Sequence, residues 1–247
     1  MTHVNIAFAN PDSFGKLGIP NEDFYQVVKF LKKKGIIVYV SVGGAGVTGQ
    51  LALNWKKYMH RSRRSEFIHN IKSFCVEYGF DGLDMDLEWD NVTSLYSGFV
   101  LELNDTLKAY NIGFTAALPG SFRYQELSDE ALKVFDVINI MAYDYTGPWD
   151  PSHPGQHSSY EKAIEAIDFW KSQGVESRRL RLGVPFYGYD FMDLTNITSF
   201  SYSDIVKENK DYAYLDRVGE KYYNGINTIN KKTELAKENN LKGIMIW

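Results

Sequence analysis

The densest acid chemistry in the 247-residue chain lies in one short run, Phe80-Asp81-Gly82-Leu83-Asp84-Met85-Asp86-Leu87-Glu88-Trp89. Successive side chains of a strand point to opposite faces, so Leu83, Met85 and Leu87 share one side while Asp84, Asp86 and Glu88 share the other. A parallel strand covered by helices is normally apolar on both faces, which makes three inward carboxylates costly unless they hold a metal or do acid–base chemistry. Magnesium or calcium suits carboxylate oxygens. Against a metal, the acids stand in a line with no histidine, and no second acidic cluster is an obvious partner. Crowded carboxylates cannot all ionise cheaply, so at least one is expected to keep a proton near neutral pH. A protonated carboxyl at the carboxyl end of a barrel strand is placed to act as a general acid.

The elements around this run alternate. Strands are expected at residues 2–9, 36–40, 80–88, 112–118, 137–143, 181–185 and 243–247. Between them, helices are expected from a cap at Asn21 to Gly35, over 62–78 with Gly79 as the stop, over 95–110, from a cap at Ser128, over 160–173 and over 227–239. After Tyr187 the pattern predicts a loop, a short helical piece at 204–208 and a hairpin at 213–223. Such alternation argues for an α/β fold with a parallel sheet and right-handed crossovers. Seven strands are one fewer than a closed (β/α)8 barrel needs, and no linker divides the chain. The glycine-rich stretch Ser41-Val42-Gly43-Gly44-Ala45-Gly46 lacks the spacing of a nucleotide loop, so a tight turn or a close approach to a ligand is its expected use.

Composition narrows the function. With 27 Lys+Arg against 31 Asp+Glu the net charge is −4, so the basic excess of a nucleic-acid binder is absent. No run of about 18 apolar residues predicts a membrane span. The single cysteine, Cys75, sits in an apolar helical stretch and reads as a buried small hydrophobe. Aromatic residues make up 15% of the chain, a hint of surfaces that grip sugar rings or bases.

Asp81-x-x-Asp84-x-Asp86-x-Glu88 resembles the signature of glycoside hydrolase family 18, the chitinases and their relatives, whose fold is a (β/α)8 TIM barrel. Further segments match in order. Ser41-Val42-Gly43-Gly44 resembles the family's turn after the third strand, Met141-Ala142-Tyr143-Asp144 its sixth strand, Gly183-Val184-Pro185-Phe186-Tyr187-Gly188 its seventh, and Gly243-Ile244-Met245-Ile246-Trp247 its eighth. The match starts at the second strand, Val4-Asn5-Ile6-Ala7-Phe8, so the strand missing from this chain is the first. Residues 1–247 are then expected to form one catalytic barrel domain without the compact insertion that deepens the cleft of some members.

The resemblance implies roles residue by residue. Glu88 would protonate the glycosidic oxygen, Asp86 would orient the substrate's acetamido group, and Asp84 would lie deeper and share charge with it. Asp81 falls on the other face and is expected to be structural. Tyr143 would hydrogen-bond the acetamido oxygen, with Asp144 beside it in the sugar site. Trp247 would form the floor under the sugar, Tyr187 would line the same pocket, and Trp149 would stack on the leaving-group side. Phe8, Gly43, Gly44 and Met141 fall at substrate-binding positions of the matching strands. No metal or cofactor is implied.

Some positions depart from the family. Leu87 and Trp89-Asp90 stand where many members have Trp and Tyr-Pro, and Tyr189 stands where an arginine often follows. The expected activity is hydrolysis of β-1,4-linked N-acetylglucosamine polymers by a retaining, substrate-assisted mechanism. The alternatives are a carbohydrate-binding lectin on the same fold, against which Glu88 is retained, and an enzyme acting on N-linked glycans. The expected partner is an N-acetylglucosamine oligo- or polysaccharide met by a monomer that is secreted, periplasmic or at the cell surface, with any export signal preceding Met1.

Overall fold

The computed structural model describes residues 1–18 and 24–247, so the expected helix cap at Asn21 lies outside the described residues. Its contacts divide the chain into two compact units, Met1–Ala117 with Arg123–Val137, and Leu118–Phe122 with Ile138–Trp247.

The first unit runs β1 (His3–Pro11), β2 (Leu17–Gly18), α1 (Phe24–Lys33), β3 (Ile37–Gly43), α2 (Gly49–Met59), α3 (Arg61–Tyr78), β4 (Gly82–Asp86), α4 (Tyr96–Ala109), most of β5 (Gly113–Pro119) and α5 (Asp129–Val134). Strands β5, β4, β3 and β1 lie side by side in parallel, and β2 folds back antiparallel on β1. Helix α3 ends as expected: Gly79 takes the left-handed region at φ 73° and its N–H reaches the carbonyls of Cys75 and Val76. Helix α2 was not expected, because it directly follows a glycine-rich turn. Its inward face carries Trp55, which is fully buried, lies edge-on to Phe67 at 5.5 Å, and donates its Nε1–H to Asn10 Oδ1 at 2.7 Å. Val38, Val40, Leu83, Met85 and Phe114 fill the core between strands and helices. Each such side chain contributes about 1.5–3 kcal/mol. Cys75 is buried as expected, and burial pushes its thiol up to about 12.

The second unit takes in most of β6 (Val137–Met141), then α6 (Tyr160–Ser172), β7 (Leu180–Val184), β8 (Tyr187–Asp190), β9 (Thr198–Ser201), α7 (Tyr202–Glu208), β10 (Arg217–Val218), β11 (Lys221–Tyr222), α8 (Ile226–Glu238) and β12 (Gly243–Ile246). Strand β7 lies parallel between β6 and β12. A separate antiparallel sheet has the order β10-β11-β8-β9. Part of the loop expected after Tyr187 is therefore strand, and the hairpin expected at 213–223 is β10 and β11. Across the described residues, β1, β3, β4, β5, β6, β7 and β12 are the seven strands expected of the barrel class. Among the described residues no helix is long and apolar enough to cross a membrane.

Candidate active site

Parallel register explains the surroundings of the first acid. Ser41 of β3 and Thr115 of β5 lie opposite Asp84 of β4, and residues paired across parallel strands turn to the same face. Both hydroxyls close on the carboxylate: Ser41 Oγ donates to Oδ2 at 2.9 Å and Thr115 Oγ1 to Oδ1 at 2.5 Å. Asp84 is 3% exposed, and each of its oxygens has a donor.

Asp86, two residues on, is buried without that support. Its Oδ1 has no hydrogen-bond partner. Burial, then the charge of Glu88, then that of Asp84 raise its carboxyl well above the usual carboxylate range. Of the three acids, Asp86 is one whose surroundings favour the protonated form. Glu88 lies two residues beyond the end of β4 and is half-buried, so it is the acid of the three that solvent reaches most readily.

The turn after Glu88 is pinned. Asn91 Nδ2 donates to the carbonyls of Glu88 at 3.1 Å and Val47 at 3.0 Å. Trp89 takes a left-handed φ of 54° and gives its N–H to the Tyr124 hydroxyl at 3.0 Å, while its indole remains exposed. Burial is the main cause that pushes Tyr124 up to about 12, with the Glu88 and Asp86 charges adding to it. Asp81 is structural, as expected: its Oδ2 accepts the N–H of Val38 at 2.9 Å and its Oδ1 meets Lys32 Nζ at 2.8 Å.

Gly43 and Gly44 turn β3 tightly against β4. Both have positive φ, 109° and 87°, and Gly44 gives its N–H to the Asp86 carbonyl at 2.7 Å. A Cβ on Gly43 would overlap that carbonyl, and one on Gly44 would meet the half-buried Phe8 ring at 2.7 Å. Close approach of backbone to backbone and ring fixes these two glycines.

In the second unit β6 stops at Met141, and the loop beyond it carries Tyr143, Asp144 and Trp149. Asp144 has a left-handed φ of 60°. Its Oδ1 accepts the Tyr187 hydroxyl at 2.7 Å and the Tyr189 hydroxyl at 3.0 Å, and His157 Nδ1 lies 3.2 Å from it. Tyr143 is buried against Tyr187 with ring centroids 6.2 Å apart. Trp149 is exposed and lies edge-on to Tyr189 at 5.7 Å. Trp247 follows β12, with its indole half-exposed and its backbone N–H on the Val184 carbonyl at 3.0 Å. Met141 is half-buried at the end of β6.

The whole of residues 1–247 matches the family model described as glycosyl hydrolases family 18. The chain belongs to that family. It is similar over its full length to the crystal structure of the GH18 chitinase ChiB from the chitin utilization locus of Flavobacterium johnsoniae, at 45% identity and a TM-score of 0.97, covering 80% of that chain. A probable chitinase 10 of Drosophila melanogaster is 28% identical over 77% of this chain and 9% of its own length. An endochitinase of Manduca sexta is 32% identical over 55% of this chain and 30% of its own. The chain thus spans less than a third of these two relatives. The (β/α)8 class expected of the family 18 fold is borne out.

Within this family 18 chain the structure gathers Asp84, Asp86, Glu88, Gly43, Gly44 and Phe8 in the first unit, and Tyr143, Asp144, Tyr187 and Trp149 in the second. It also shows residues the sequence reading passed over. Ser41 and Thr115 are visible only when three strands are laid in register. Tyr124 and Tyr96 come from beyond the motif, and the buried Tyr96 hydroxyl has no hydrogen-bond partner. His157 lies thirteen residues from the aspartate it faces. The strand alternation Tyr187-x-Tyr189 was the available signal for Tyr189.

Proposed function

We propose that the protein hydrolyses β-1,4 links between N-acetylglucosamine units in chitin or chito-oligosaccharides, with retention of configuration and with help from the substrate. The observation that carries this reading is the graded environment of the acidic strand. Asp84 is closed off by two hydroxyls, Asp86 is buried with its carboxyl pushed toward the protonated form, and Glu88 is the accessible carboxyl at the strand's end. Glu88 acts as general acid toward the glycosidic oxygen and then as base toward water. With Glu88 serving as acid and base, Asp84 closed off by hydroxyls and Asp86 directed at the acetamido group, no carboxylate is left to attack the anomeric carbon, and the nucleophile is the sugar's own 2-acetamido oxygen, a route known for this family. Asp86 orients that acetamido group, and as positive charge develops there its proton passes to the neighbouring Asp84 carboxylate, leaving Asp86 as the anion that offsets the charge.

From the family motifs, Tyr143 takes the acetamido oxygen, while Asp144, Tyr187, Trp149, Trp247, Phe8, Gly43, Gly44 and Met141 serve sugar binding. Residues 1–247 act as one catalytic domain and as a monomer. An insoluble polysaccharide does not enter cells, so the enzyme works outside the cytoplasm, secreted or at the cell surface.

Proton NMR of fresh product from a chito-oligomer tests the reading. The β anomer is expected first, and a thiazoline mimic of the cyclic intermediate inhibits. An initial α anomer, or efficient cleavage of a fully deacetylated polymer, overturns the mechanism. Binding without cleavage points to a lectin, and cleavage confined to a glycoprotein points to an enzyme of N-linked glycans.

A further inference from the structure

The bonds of Asp144 are lopsided. Oδ1 takes the hydroxyls of Tyr187 and Tyr189 and lies within reach of His157 Nδ1, whereas the side chain as a whole keeps 37% exposure. The outer oxygen, Oδ2, is the one left for a ligand. His157 is fully buried behind this contact, with its ring centroid 5.1 Å from that of Tyr187 and 4.9 Å from that of Tyr189. Two further bonds close the same loop: Tyr145 N–H reaches the His157 carbonyl at 3.1 Å, and the Ser158 hydroxyl donates to the Ala142 carbonyl at 2.6 Å.

A carboxylate held through one oxygen by two hydroxyl donors loses its freedom to rotate before a ligand arrives. That ordering then need not be met from the binding energy. We propose that Tyr189 and His157 are positioning residues that fix the Asp144 carboxylate so that Oδ2 meets a sugar hydroxyl, and that they thereby set the affinity of this subsite. The inference rests on the sugar-binding role given to Asp144 above. Tyr189 carries it best, because Phe in its place keeps the ring packing and removes only the hydroxyl.

The test is a double-mutant cycle on the full chain with Tyr189→Phe, Asp144→Ala and the pair. Kinetics are read on a chito-oligomer and affinity for the same oligomer by calorimetry, with thermal unfolding alongside. Tyr189→Phe is expected to raise KM and Kd about 3- to 10-fold, as for loss of one hydrogen bond to a charged group, with kcat within about twofold. In the Asp144→Ala background the same change adds nothing further. His157→Gln, which keeps a polar side chain beside the Asp144 backbone N–H and carboxylate, is expected to retain more affinity than His157→Phe. An unchanged KM in Tyr189→Phe, or an equal loss with and without Asp144, overturns the proposal. A wild-type chain that cleaves while Tyr189→Phe behaves normally refutes only the positioning role. A wild-type chain that neither cleaves nor binds the oligomer refutes the sugar reading as well.

Discussion

Asp86 and Asp144 both lie at or just beyond the carboxyl end of a parallel strand, yet their surroundings differ in kind. Asp86 is packed between two other acids, with one oxygen unpartnered and its carboxyl pushed toward the neutral form. Asp144 has one oxygen held by tyrosine hydroxyls, and its side chain stays 37% exposed. The first environment makes a proton available, and the second keeps a carboxylate still. Groups that must change protonation during a reaction need unfavourable ground-state surroundings, while groups that only bind do not.

The sharpest way to break this contrast is at Glu88. Glu88→Gln keeps the shape and removes the transferable proton, so kcat is expected to fall about 10²- to 10⁴-fold while the unfolding temperature stays within about 2 °C. Steady-state kinetics beside calorimetry check both halves. Retained turnover would show that the crowded strand is not where the proton leaves from.

The loop bearing Asp144 depends on Lys232. Its ammonium is fully buried in the second unit and donates to the Ser158 carbonyl at 2.8 Å, Ser158 Oγ at 2.7 Å and Asn224 Oδ1 at 2.7 Å. Lys232→Met leaves those acceptors without a donor and is expected to lower stability by about 2–4 kcal/mol at high pH. Burial lowers the lysine to about 7 from its ordinary 10.5. Between these values the unfolded chain binds the proton and the folded chain does not, so the lysine's contribution rises with pH from 7 to 10.5. Denaturant titrations of both proteins at pH 6 and pH 10 measure the difference, which should be larger at pH 10.

Asp86→Asn sharpens the contrast from the opposite side. Between the ordinary carboxylate range and its raised value, Asp86 keeps in the folded protein a proton that the unfolded chain has released. Wild-type stability therefore falls as pH rises above the ordinary carboxylate range toward the raised value. Asparagine does not titrate, so the variant's unfolding temperature should match wild type near pH 4 and exceed it near pH 8. Its kcat should drop about 10- to 100-fold through loss of the charge that steadies the transition state. A variant less stable than wild type at pH 8 would contradict the crowding argument.

What could be read from the chain follows the range of each signal. Strand parity is local, so the shared face of Asp84, Asp86 and Glu88 was legible from ten residues. The alternation that gives seven parallel strands was legible for the same reason. Ser41 and Thr115 needed the register of β3 and β5 against β4, which no single segment encodes. His157 needed a loop to fold back thirteen residues. Strands β8 and β9 were hidden because four-residue elements barely show a period. Helix α2 was hidden by the turn that precedes it.

The smallest expected effect concerns the support of Asp84, which parallels that of Asp144 in the other unit. Ser41→Ala removes the donor to Oδ2 and leaves Thr115 on Oδ1. A buried carboxylate oxygen stripped of its donor would by itself cost about 1–3 kcal/mol. Asp84 has an escape that Asp144 lacks, since it can compete for the proton that burial and crowding favour on Asp86. The net loss should therefore fall near the lower bound, about 1 kcal/mol. The same competition shifts charge back onto Asp86, so the pH profile of kcat should move while KM for the oligomer stays constant. Denaturant unfolding together with the pH profile reads both effects. A stability loss with an unmoved profile would make Ser41 a packing hydroxyl and leave Asp86 as the sole holder of the proton, whereas a moved profile ties the hydroxyls of β3 and β5 to the acid that does the work at Glu88.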